Sequence, residues 1–91
     1  MGQYTNKDNL HRRLRKVSGQ VQAVDRMVEE GRSCEDILTQ ISATKAALHS
    51  CAKIILTDYI NQCVKEGIQQ GDAEKTLENF NTAIDRFLCI D

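Results

Sequence analysis

Proline and tryptophan are missing from this chain, and two tyrosines and two phenylalanines are its only aromatic residues. No run approaches the roughly 18 apolar residues that cross a bilayer, so neither a membrane span nor a membrane partner is expected. The amino-terminal segment, through Lys16, lacks the apolar stretch of a secretion signal, and a cytoplasmic location follows as an expectation. Catalytic triads, glycine-rich phosphate loops and isolated carboxylate pairs are also wanting, so neither an enzyme nor a bound cofactor is expected. No internal repeat, low-complexity segment or linker divides residues 1–91, which read as one domain.

What is present is polarised. The formal net charge is only −1, yet Lys7, Arg12, Arg13, Arg15 and Lys16 face Asp8 alone within the first 20 residues, while the remainder is acidic. Evenly spread, such a balance would argue against a nucleic-acid partner; gathered at one helix end, it permits one. A solvated helix face accounts for the same charges equally well. Arg13, Lys16 and Gln20 fall within about 60° of one another beside the apolar seam, and Arg12 and Arg15 point farther outward. Such a stripe can follow phosphates, and Lys53 could extend it. Because no helix-turn-helix signature occurs, backbone or shape contacts are expected rather than an inserted recognition helix.

The apolar positions define three helices. Leu10, Leu14, Val17, Val21, Val24 and Val28 alternate steps of four and three, a helix seam and not a strand pattern. Thr5 with Asp8 offers a start and Gly31 a stop, giving a first helix at about 5–29. Ser33 can cap a second helix over about 33–66, ended by Gly67 and Gly71, with apolar residues on more than one side. Asp72 can cap a third over about 73–88, where Ala73, Leu77, Phe80, Ile84 and Phe87 repeat the same steps. The fold class is all-α. A central helix of ~50 Å cannot be covered by two short neighbours. At this length a single core is also only marginally sufficient. Pairing two copies antiparallel into a four-helix core is the natural remedy.

Cys34 and Cys63 sharpen that expectation. They stand 29 positions apart on one helix, which leaves them roughly 20° apart around its axis but separated by roughly 43 Å. If both thiols serve one site, the second must come from another copy of the chain. Cys34 lies in the first turn of its helix, where unpaired N–H groups and the dipole favour an anion, although Glu35 and Asp36 oppose them. An accessible thiolate with a second thiol nearby is the arrangement of a redox or sulfur sensor. Inert core packing explains two cysteines too, and on spacing alone it is the preferred reading. Two thiolates also suit Cu(I), but the turn before Cys63 offers Tyr59 where an imidazole would complete a metal site. Cys51 reads as core packing, Cys89 as a tail residue without a role, and His11 and His49 as solvated or locally hydrogen-bonded side chains.

The run Arg13-Leu14-Arg15-Lys16, then Gly19-Gln20, Met27, Cys34, Ile37-Leu38, Gln40-Ile41, Ala43, Ala47-Leu48 and Cys63 resembles the CsoR/RcnR/FrmR family of bacterial repressors from about residue 7 to 88. That resemblance implies an all-α dimer of dimers that binds operator DNA and releases it when an inducer occupies or modifies an intersubunit site. Copper sensors of the family use cysteine, histidine and cysteine, which map to Cys34, Tyr59 and Cys63; Tyr59 departs from the pattern. The nickel, cobalt and formaldehyde patterns are not met either. Two cysteines without the histidine look like the persulfide-sensing, CstR-like branch. Basic residues matching Arg13 and Lys53 contact the operator in family members, although some copper sensors carry arginine at the latter place. The resemblance therefore implies a repressor sensing persulfide or polysulfide through Cys34 and Cys63, with Tyr59 as a pocket neighbour and Arg12, Arg13, Arg15, Lys16, Gln20 and Lys53 at the DNA. A Cu(I)-responsive repressor and a cytosolic sulfur-carrier or thiol-transfer protein are the alternatives.

Overall fold

A computed structural model describes residues 7–90 of the chain. Three α-helices follow one another: α1 (Lys7–Glu29), α2 (Cys34–Gln70) and α3 (Ala73–Leu88). Thr5, the expected start of the first helix, lies outside the described residues. The described residues group into two compact units, 8–51 and 52–90, and α2 contributes to both.

In the unit 8–51, α1 and the first half of α2 are joined by a turn whose chemistry is written in the sequence. Gly31 adopts φ +69°, which a side chain would resist. The Arg32 N–H donates to the Met27 carbonyl at 2.9 Å and the Gly31 N–H to the Val28 carbonyl at 3.1 Å, the paired bonds of a Schellman ending. Ser33 then caps α2, its Oγ accepting from the Asp36 N–H at 3.1 Å. An exposed ion pair between Arg32 and Asp36, 3.3 Å long, spans the same corner.

The seam of α1 divides into two rows. Leu10 and Val17 are buried and Val24 is half-buried, so this row, spaced by seven, faces the unit's own interior. Leu14, Val21 and Val28 form the other row and are 37, 54 and 60 % exposed. On α2, Leu38, Ile41 and Leu48 are likewise exposed, and Cys51 is the only residue of that helix that is buried. Ile37, Ile54, Ile55 and Ile60 are half-buried, so the expected burial of α2 on several sides is partial within the described residues and leaves Leu38, Ile41 and Leu48 bare. A heptad row left bare beside one that is covered is the pattern of a helix awaiting a second partner.

The unit 52–90 pairs the second half of α2 with α3. Here α2 runs four residues beyond the expected end at 66, straight through Gly67 to Gln70. Gly67 serves a different purpose from punctuation: a Cβ there would collide with the Thr76 side chain, so the bare backbone lets α3 approach α2 closely. The stop comes at Gly71, with φ +70° and its N–H donating to the Gly67 carbonyl at 2.8 Å. Asp72 caps α3 by accepting from the Lys75 N–H at 3.1 Å. No residue of α3 is buried, and Leu77 and Leu88 are more than 60 % exposed.

Candidate functional site

Cys34 is the first residue of α2, exposed, directly after the Ser33 cap. Cys63 is half-buried and belongs to the other unit. All four cysteines are free thiols. Cys51 is 1 % exposed, whereas Cys89 is exposed just beyond α3, at its C-cap. His11 is exposed and His49 half-buried.

Tyr59 and Cys63 stand one turn apart on α2 but line different concavities. Tyr59 lines an apolar cavity of about 310 Å³ with Ile55, Leu56, Ala83, Arg86 and Phe87. Cys63 opens instead into a polar cavity of about 230 Å³ that it shares with Glu66, Asp72, Lys75, Thr76 and Asn79. Glu66 accepts a hydrogen bond from the Gln62 amide at 2.9 Å.

Among the described residues no group of three or more His, Cys, Asp or Glu side chains comes together to hold a metal ion. A neutral phenol at position 59 is a poor ligand for a soft cation, so the residues present do not supply a thiolate–imidazole–thiolate set.

The basic residues of α1 lie on its surface. Arg12, Arg13, Arg15 and Lys16 are exposed, and none forms an ion pair among the described residues. Asn9 arranges two of them: its Oδ1 accepts from Arg12 Nη2 at 2.7 Å and from Arg13 Nε at 3.4 Å. Four cations without a carboxylate among them keep their full attraction for a polyanion. Gln20 differs, being half-buried with its Oε1 shielded from solvent and without a partner among the described residues. Lys53 is exposed and belongs to the unit 52–90, beside Ile54, Thr57 and Asp58.

Reading the sequence by helix faces did not single out Asn9, Glu66 or Lys75. Asn9 could have been found one turn ahead of Arg12 and Arg13. Lys75 required the register of the hairpin at Gly71, in which Gly67 meets Thr76; folding the chain back from there brings the first turns of α3 alongside Cys63.

Residues 6–86 match the family profile described as the metal-sensitive transcriptional repressor, and the chain belongs to that family. It is 40 % identical over 89 residues to the copper-sensing transcriptional repressor RicR of Mycobacterium tuberculosis, spanning 96 % of this chain and 93 % of the relative. Among solved structures, the nickel-responsive transcriptional regulator InrS matches with a TM-score of 0.85 and 32 % identity, covering 96 % of this chain and 98 % of that one. The copper-sensing repressor CsoR with Cu(I) from Geobacillus thermodenitrificans matches with a TM-score of 0.84 and 36 % identity, covering 97 % and 93 % respectively. The all-α fold and the assignment as a transcriptional repressor acting on operator DNA rest on these matches, and they set aside the thiol-transfer alternative.

Proposed function

We propose that this repressor senses reactive sulfur, as persulfide or polysulfide, through Cys34 of one subunit and Cys63 of its partner. The observation that carries the proposal is the donor set: an exposed thiol at the first position of α2, a half-buried thiol 29 positions later, and Tyr59 where a metal-binding imidazole would stand. Assembly brings the two sulfurs together. The bare rows Leu14–Val21–Val28 on α1 and Leu38, Ile41 and Leu48 on α2 supply apolar surface for an antiparallel dimer. Two such dimers make the tetramer.

In the first step the Cys34 thiolate attacks the terminal sulfur of a hydropersulfide RS–SH. The donor's S–S bond breaks, RS⁻ leaves, and Cys34 carries the transferred sulfur as a persulfide. The partner's Cys63 thiolate then attacks the Cys34 Sγ, HS⁻ leaves, and a disulfide joins the subunits. A second transfer before closure leaves a longer sulfur bridge. Bridging favours a geometry in which the cations of α1 no longer match the operator. A 100-fold fall in affinity needs only about 2.7 kcal/mol of differential binding. Arg12, Arg13, Arg15 and Lys16 supply phosphate contacts, and Gln20 and Lys53 are assigned to the duplex with them.

The test is a non-reducing gel after polysulfide treatment. A crosslinked dimer should appear and be lost in both Cys34→Ala and Cys63→Ala; a crosslink that survives either change refutes the pairing. The second reading, Cu(I) held by the two thiolates alone, draws on relatives named for copper sensing. Stoichiometric Cu(I) binding that releases operator DNA, with no crosslink after polysulfide, decides for it.

A further inference from the structure

The cavity beside Cys63 is lined by charges of both signs that do not neutralise one another. Lys75 stands in it with Glu66 and Asp72, and no ion pair joins Lys75 to either carboxylate among the described residues. The two acids have other occupations, Glu66 with Gln62 and Asp72 with the first turn of α3. Each keeps a second carboxylate oxygen able to accept. Thr76 and Asn79 add neutral polar groups to the wall. The space, about 230 Å³, is enough for a small polar molecule and too small for a macromolecular segment.

An inorganic polysulfide is a dianion without donors and gains little from Glu66 and Asp72. A molecule bearing an ammonium, a carboxylate and a sulfur would meet all three charged groups and the thiol together. We propose that this cavity is the docking subsite for a zwitterionic amino-acid hydropersulfide, with Lys75 receiving the carboxylate, Glu66 and Asp72 the ammonium, and the sulfane sulfur held at Cys63. The inference rests on the sulfur-sensing reading and names its donor class. Docked there, the donor presents its terminal sulfur where the partner's Cys34 arrives. Attack by that thiolate breaks the donor's S–S bond and expels the amino-acid thiolate, and Cys63 is already in place for the closing step.

The experiment compares three donors on the full-length protein: cysteine hydropersulfide, cysteamine hydropersulfide, which lacks the carboxylate, and sodium tetrasulfide. Crosslink formation is timed by mass spectrometry in the native protein and in Lys75→Ala, an exposed position whose change spares the helices. Lys75→Ala should slow the cysteine donor about three-fold, the size of one solvent-screened charge contact, and leave the cysteamine donor, which has no carboxylate, unchanged. Equal slowing of all three donors, or of none, overturns the subsite. S-methylcysteine, which cannot donate sulfur, separates the two proposals: it should shift the amide resonances of residues 63–79, and Lys75→Ala should weaken that effect. Crosslinking without S-methylcysteine binding overturns the subsite alone, and binding without any crosslink overturns the sulfur-sensing reading and with it the cavity's role in docking a donor.

Discussion

The two helical hairpins of this chain are built alike and packed differently. Each turns on a left-handed glycine, Gly31 or Gly71, followed within two residues by a capping side chain, Ser33 or Asp72. Residues 8–51 contain Leu10, Val17 and Cys51, the buried side chains among the described residues, together with Arg12, Arg13, Arg15 and Lys16, which form no ion pair among those residues. Residues 52–90 have no buried side chain and carry the two cavities lined by Tyr59 and Cys63. Under the proposed roles, a fixed scaffold would help the first hairpin hold register on a duplex, and space beside Cys63 would serve the sensor. The family to which the chain belongs has use for both.

Charging the bare row of the first hairpin should have the largest effect. Val21→Asp should abolish the dimer at micromolar concentration while leaving the helical circular dichroism of the chain largely in place, as read by light scattering after size exclusion. If the variant remains oligomeric, the Leu14–Val21–Val28 row is not an interface. A smaller effect sharpens the contrast from the other side. Gly67→Ala should destabilise the second hairpin by about 1–3 kcal/mol through overpacking against Thr76, and adding Thr76→Ala should recover most of that in urea denaturation. Unchanged or raised stability in Gly67→Ala would mean that close approach to Thr76 does not constrain the position, since alanine is the better helix former. Smallest is Arg13→Ala, which should leave stability untouched, weaken operator binding and lower the slope of log K against log salt by about 0.9 for the lost phosphate contact. An unchanged slope would take Arg13 off the duplex.

Much of the fold was legible because its signals are local. The four–three stepping of α1, the Gly31 stop and the Ser33 and Asp72 caps each depend on residues within one or two turns, and the structure has them where the sequence places them. Gly67 was misread because a glycine that ends a helix and one that admits a neighbour look the same in one dimension. Only Thr76, nine residues on and past a turn, distinguishes them. The site divides along the same line. Cys34 and Cys63 were visible from their spacing, and their joint role is the sensing proposal made above. Glu66 and Lys75 were not visible, because exposed charges on helices carry no periodic signal and their meeting at Cys63 depends on the register of the Gly71 hairpin.

One oxygen atom near the start of α1 has a larger consequence than its size implies. Asn9 steadies two guanidinium groups with a neutral amide. An aspartate could grip them more firmly, yet it would subtract a full unit of positive charge from the surface proposed to draw in a polyanion. Choosing amide over acid lets the helix aim its cations without muting them.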